Sequence, residues 1–300
     1  MKHLLGLREL ETENIESILS TAVEMKKVLT QNVKKTNYLS NKSVVTLFYE
    51  NSTRTKTSFE LAAKFMGANL SSLAVAQSSV QKGETLIDTG KTLDALMTDV
   101  IIMRHSVSGA PHFLSRNIKA SVINGGDGMN EHPTQALLDI FTIKEQKGTM
   151  AGLKVAIVGD VKHSRVARSN IWGMTKLGAE VTVAAPHTLL PAGIEKTGVR
   201  VETDADKAVR GADVVMGLRL QSERMKAGLI PSVGEYNALF GLNERRAALA
   251  DSHAMILHPG PINRGVEISD TVADAQNSFI ERQVTNGVAV RMAVLFLLTR

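Results

Sequence analysis

The sequence predicts an α/β protein of two domains, each a parallel β-sheet flanked by helices, with the active site in the cleft between them. Three observations predict it. Strand-like and helix-like segments alternate along the chain, a second strand–turn–helix series starts afresh at Lys154, and 300 residues are too many for one small core.

The elements follow in order. A helical pattern occupies 12–29. Val44-Val45-Thr46-Leu47-Phe48-Tyr49 is short, β-branched and aromatic, so it reads as a buried strand, and Phe59, Leu61, Ala62, Phe65 and Met66 mark the helix after it. Further strands near 69–75, 99–104 and 120–124, with helices between, keep the βαβ rhythm. A helix from Pro133 to Gln146 ends at Lys147-Gly148, a C-terminus and a domain joint. Lys154–Gly159, Val181–Pro186, Asp213–Leu218 and Ala254–His258 supply the second sheet, and the apolar segment Val284–Leu298 is a C-terminal helix expected to pack back on the body of the protein. The expected domains are 1–147, joined by the helix of 285–300, and 148–284.

Composition removes several classes of function. The chain is 43% hydrophobic and 22% charged, and no apolar run approaches the roughly 20 residues that cross a bilayer. Met1–Leu10 holds only the short apolar patch Leu4-Leu5 and has no signal-peptide core, so a cytoplasmic location is expected. With no cysteine, disulfides, thiolate nucleophiles and cysteine-ligated zinc are excluded. The net charge of +5 is spread among acids and not gathered in a basic stripe with aromatics, which argues against nucleic acid and suits a small polyanion. His105, His112, His163 and His253 read as scattered, without acidic partners at ligand spacing; no metal and no cofactor are expected.

Chemistry concentrates at Glu50-Asn51-Ser52-Thr53-Arg54-Thr55, where a strand hands over to a helix. A helix N-terminus offers N–H groups and partial positive charge, the hydroxyls add donors, and Arg54 adds a fork matched to two phosphate oxygens. Taken alone, the segment is either a phosphate cradle or an ordinary Ser/Thr cap beside solvated cations. Other polar groups collect at strand ends, where ligands of open parallel sheets bind: Arg104, His132 and Gln135 in the first half, and Arg165, Arg219, Gln221 and His258-Pro259-Gly260-Pro261 in the second. A dinucleotide site is set aside, because Asp160-Val161-Lys162-His163 follows Gly159 where G-x-G-x-x-G needs further glycines.

Phe48-x-Glu50-x-Ser52-Thr53-Arg54-Thr55 resembles the carbamoyl-phosphate signature of the aspartate and ornithine carbamoyltransferases. Gln81–Thr85, Met103-Arg104-His105, His132–Leu137, His163–Ser169, Arg219-Leu220-Gln221 and His258–Pro261 continue the resemblance in the family's order along nearly the whole chain. The aspartate branch fits best. An ornithine enzyme would carry a cysteine in the segment matching His258–Pro261, and arginine at 219 suits a carboxylate, not an ammonium. Gly260 stands where some aspartate enzymes have leucine, which marks a branch of the family.

The resemblance implies roles. Ser52, Thr53, Arg54, Thr55 and Arg104 hold the phosphate of carbamoyl phosphate; Thr55, Arg104 and His132 converge on its carbonyl oxygen; Gln135 and the Gly260-Pro261 loop hold its NH2. Ser78 and Lys82 come from the neighbouring subunit of a homotrimer, Lys82 serving both substrates. Arg165, Arg219 and Gln221 bind aspartate, and Glu50 with Arg165 and Arg224 closes the domains. The implied reaction gives N-carbamoyl-L-aspartate and phosphate in pyrimidine biosynthesis, and a regulatory chain or a dihydroorotase is an open further partner. Two alternatives stand: an acceptor of the ornithine type, and a non-catalytic relative acting as a scaffold.

Overall fold

Val44, Val45 and Leu47 in one strand, and Val100 to Met103 in its neighbour, are all under 5% exposed, the pattern of strands covered on both faces. The structure is a computed structural model that describes residues 1–74, 83–225 and 228–300. It divides into two units, Met1–Leu137 with Thr285–Arg300, and Leu138–Val284.

The first unit contains α1 (Thr12–Leu29), β1 (Ser43–Phe48), α2 (Thr53–Phe65), β2 (Asn69–Ala74), α3 (Leu86–Ala95), β3 (Val100–His105), α4 (Ala110–Ser115), β4 (Ser121–Asp127) and the start of α5 (Pro133–Lys147). Its sheet is parallel throughout, in the order β2-β1-β3-β4. The chain therefore moves to one side of β1 to make β2 and to the other to make β3. Such a reversal opens a crevice at the carboxyl ends of β1 and β3. The register of β3 on β4 shifts between Met103 and His105, where Gly125 and Gly126 of β4 stand against the single residue Arg104.

The second unit contains β5 (Lys154–Val158), α6 (Arg165–Lys176), β6 (Glu180–Ala184), β7 (Arg200–Glu202), α7 (Ala205–Val209), β8 (Val214–Gly217), α8 (Val233–Phe240), α9 (Glu244–Ala247), β9 (Met255–Leu257), α10 (Asp270–Ala273) and the first turn of α11 (Ile280–Leu298). Its parallel order is β7-β6-β5-β8-β9, so the reversal falls between β5 and β8. β7 is absent from the sequence reading. Its three residues sit at the sheet edge and only Val201 is apolar, so it has no periodicity to detect. Most of α11 lies in the first unit, where Arg291 stacks over the Phe59 ring of α2 at 5.0 Å and Phe296 meets Tyr38 at 5.2 Å. Among the described residues no helix is long and apolar enough to cross a membrane.

One glycine is fixed by close approach. Gly159, just past β5, has φ +132°, and a Cβ there would lie 2.8 Å from Leu218 O and 3.0 Å from the Tyr236 hydroxyl. Both neighbours are buried, at 1% and 2% exposure, and cannot step aside cheaply. Gly159→Ala should therefore lower unfolding free energy by about 2–4 kcal/mol, read from the urea midpoint.

Candidate functional site

In the first unit, Ser52 is the N-cap of α2, with extended backbone (φ −159°), but its side chain makes no capping hydrogen bond, and no acid occupies the first turn. Of the two readings the segment allows, an ordinary Ser/Thr cap or a phosphate cradle, Ser52 takes the cap position without spending its hydroxyl on the backbone. The consequence is chemical: the Ser52 hydroxyl is not spent on the helix, and the positive end of the helix dipole suits an anion. Thr53 and Arg54 are exposed, whereas Thr55 turns inward and is buried. Its Oγ1 lies 3.4 Å from Nε2 of His132, itself 4% exposed. His132 precedes Pro133, the first residue of α5, where a missing N–H costs nothing. The His132 carbonyl accepts from Gln135 N at 3.0 Å, and Gln135 is half-buried on the first turn.

Arg104 ends β3 beside this group. Its Nη1 donates to Gly125 O at 3.3 Å, on the bulged part of β4, and its Nε lies 3.3 Å from Oε2 of Glu50. The β1 end is tied to the β3 end by Tyr49 N donating to Arg104 O at 2.8 Å. Glu50 thus has Arg104 as an ion-pair partner within its own unit. Next in sequence, the His105 imidazole packs against the Tyr49 ring, tilted by 52° with centroids 4.7 Å apart, and is held below its usual pKa by burial, against the upward pull of Glu50 and Asp127. Ser78 and Lys82 lie outside the described residues.

In the second unit, Arg165 opens α6 and is 5% exposed, behind Ser164, whose Oγ caps the helix by accepting from Ala167 N at 3.1 Å. Arg219 and Gln221 follow β8, both half-buried. Asp160 joins the two loops. Its carboxylate is fully buried and accepts from His163 N at 3.2 Å, from His163 Nδ1 at 2.9 Å and from Gln221 N at 3.2 Å. Arg224 Nη1 reaches His163 O at 3.5 Å, so the same turn holds both loops. A carboxylate fixed at this sheet end also opposes a bound pyrophosphate, consistent with the missing glycines.

The 258–261 loop is braced by a second buried histidine. His258 Nδ1 accepts from Gly260 N at 2.8 Å, and its Nε2 lies 3.3 Å from Oε1 of Glu267; the Gly260–Pro261 peptide is cis. The expectation that the histidines lack acidic partners needs correction for His163, because Asp160 stands three residues before it and the turn folds the two together, and for His112, whose Nε2 lies 3.9 Å from Oε2 of Glu9. Sequence reasoning also passed over Asp160 as a functional residue. Its signal was present: a lone acid directly after the glycine that ends a buried strand. Among the described residues no group of three or more His, Cys, Asp or Glu could hold a metal ion.

Two parallel sheets, each with arginines past the strands where its order reverses, are the framework of an α/β enzyme that handles small anions. Family comparison narrows the class. Residues 2–145 match the carbamoyl-phosphate-binding domain of the aspartate/ornithine carbamoyltransferases, and residues 151–298 match their aspartate/ornithine-binding domain. The chain belongs to the aspartate/ornithine carbamoyltransferase family. It is 64% identical over 299 residues to the aspartate carbamoyltransferase catalytic subunit of Ruminiclostridium cellulolyticum, covering 100% of this chain and 96% of that one. The corresponding protein of Caldicellulosiruptor bescii is 60% identical over 300 residues, covering 100% and 98%. Among solved structures, aspartate transcarbamoylase from Trypanosoma cruzi in complex with N-(phosphonacetyl)-L-aspartic acid superposes with a TM-score of 0.90 at 30% identity, covering 100% of this chain and 96% of that one. Ornithine carbamoyltransferase from Pyrococcus furiosus gives 0.88 at 32% identity, covering 99% and 97%. The shared fold spans both acceptor types, whereas these relatives of 60% identity or more are aspartate enzymes.

Proposed function

We propose that this chain is an aspartate carbamoyltransferase, a transferase of pyrimidine biosynthesis that moves the carbamoyl group of carbamoyl phosphate to the α-amino group of L-aspartate. The products are N-carbamoyl-L-aspartate and phosphate. The observation that carries this reading is the pairing of Thr55 Oγ1 with His132 Nε2 beside an uncapped helix N-terminus that presents Ser52, Thr53 and Arg54. A hydroxyl, an imidazole and a helix N-terminus in one place suit an acyl phosphate, a mixed anhydride whose carbonyl must be polarised.

In this reading Ser52, Thr53, Arg54 and Arg104 hold the phosphate, so that Arg104 exchanges Glu50 for phosphate oxygens. Thr55, Arg104 and His132 donate to the carbamoyl oxygen, and Gln135 with the Gly260-Pro261 loop orients the NH2. Arg165 takes the α-carboxylate of aspartate, and Arg219 and Gln221 take the β-carboxylate. The neutral amine attacks the carbamoyl carbon and a tetrahedral oxyanion forms. The C–O bond to phosphate then breaks while the amine proton passes to the departing phosphate. No covalent enzyme intermediate is needed, and holding two anions against their mutual repulsion is most of the catalytic task. Glu50 then pairs with Arg165 and Arg224 when both substrates are bound.

We further propose a homotrimer in which Ser78 and Lys82 complete the neighbour's site, in a cytoplasmic setting; a regulatory chain or a dihydroorotase is an additional partner to look for in lysate. N-(phosphonacetyl)-L-aspartate tests the site directly. It should bind far more tightly than either substrate, because it joins both anions in one molecule. A calorimetric titration without binding would return the chain to the class of scaffold relatives.

A further inference from the structure

The loop that delivers His132 is gripped by the beginning of the chain. His3 to Leu5 lie along β4: Leu4 pairs with Ile123 in parallel register, Val122 N donates to His3 Nδ1 at 3.0 Å, and Asn124 Nδ2 donates to Leu5 O at 2.8 Å. The segment then crosses the carboxylate of Glu131. That side chain is buried, and its oxygens accept from Leu7 N at 2.7 Å and Arg8 N at 3.2 Å. A Cβ on Gly6 would run into Glu131 Oε1, so the fit requires glycine there. A carboxylate this deep is tolerated because charge-assisted bonds to N–H groups replace its water.

The backbone of Glu131 is held as firmly as its side chain. Its N–H donates to Asp127 Oδ1 at 3.1 Å, and its carbonyl accepts from Asp127 N at 3.2 Å. Asp127 is itself fully buried and also receives Gly109 N at 2.6 Å and Asn124 Nδ2 at 2.7 Å. Residue 131 is therefore fixed from both sides, and the next residue is His132, whose Nε2 must stay within reach of Thr55 Oγ1.

We propose that the N-terminal segment is a positioning element of the active site, setting the His132 ring through the Gly6–Glu131 clamp. This rests on the assignment of His132 to the carbamoyl carbonyl; Glu131 touches no substrate and acts through its neighbour. Small displacements matter at such a site, since a shift of about 1 Å can cost on the order of a hundredfold in rate.

The test uses the full chain with two variants: Glu131→Gln, which keeps one acceptor oxygen but turns a donor toward a backbone N–H, and Gly6→Ala, which displaces the carboxylate without altering it. Both should lower kcat roughly 10- to 100-fold while the aspartate KM stays within about twofold, the split expected when transition-state alignment is lost and not binding. In histidine-labelled protein, the NMR titration of the His132 ring should shift in both variants. Wild-type kcat in both variants, or an unmoved His132 titration, would overturn the proposal. Failure of both variants to fold would assign the clamp to stability and overturn it too. A wild-type chain that forms no carbamoyl aspartate would instead defeat the reaction assignment, and the His132 titration would still decide the clamp.

Discussion

Replacing Arg54 with alanine should cut turnover by about 10²–10³-fold and leave the unfolding midpoint where it was. The two halves of this expectation have separate grounds. Arg54 is exposed on the first turn of α2, so truncation opens no cavity, and surface substitutions of this kind usually stay within about 0.5 kcal/mol. Its guanidinium, however, stands at a helix N-terminus whose capping hydroxyl is not engaged with the backbone. There it can grip two phosphate oxygens and hold the negative charge that grows as the C–O bond breaks. Losing one such donor typically raises a barrier by about 3–4 kcal/mol, far more than any stability change at this position. Arg54→Lys should recover only part, because an ammonium is a point charge without the fork. Steady-state kinetics beside a melting curve will read both quantities. Near-native turnover in Arg54→Ala would refute the phosphate site.

Asp160→Ala should lower kcat/KM for aspartate by about a hundredfold or more through the second unit. The fully buried carboxylate receives hydrogen bonds from the α6 approach, at His163, and from the β8 exit, at Gln221. Each donor left buried without an acceptor costs about 1–3 kcal/mol, so both loops will relax away from their present course. Arg165 and Gln221 ride on those loops, and in the proposed aspartate site the two carboxylates would lose their fixed spacing. Binding of inorganic phosphate, proposed for the α2 terminus, should change little. Asp160→Asn keeps an acceptor oxygen and should retain part of the activity. An unchanged aspartate dependence in Asp160→Ala would remove the residue from this role.

The fold was legible in the chain because its signals are local. β-branched runs such as Val44–Leu47 and Val155–Val158 need only their own composition to be read as covered strands, and the βαβ alternation implies parallel pairing. The edge strand β7 was not legible, since one exposed and two half-buried residues make no pattern. The proposed phosphate cradle was half legible as a cluster: Ser52, Thr53 and Arg54 are neighbours in sequence, and their combination at a strand-to-helix junction suits an anion. Thr55 and His132 are 77 positions apart, and only family resemblance joined them before the structure put Oγ1 3.4 Å from Nε2. Asp160 shows why the rest stayed hidden. Its bond to Gln221 spans 61 positions, and nothing in either residue's neighbourhood announces the other. Glu131 and Gly6 are more distant still, and the need for glycine at 6 appears only when the carboxylate is seen against it.

Transfer of a carbamoyl group to aspartate is tested most directly by giving the purified protein carbamoyl phosphate with aspartate and ornithine side by side, and separating the products. N-carbamoyl-L-aspartate with an equal amount of phosphate, and no citrulline, is the predicted result. Citrulline as the product, or phosphate released without either carbamoylated amino acid, would contradict it.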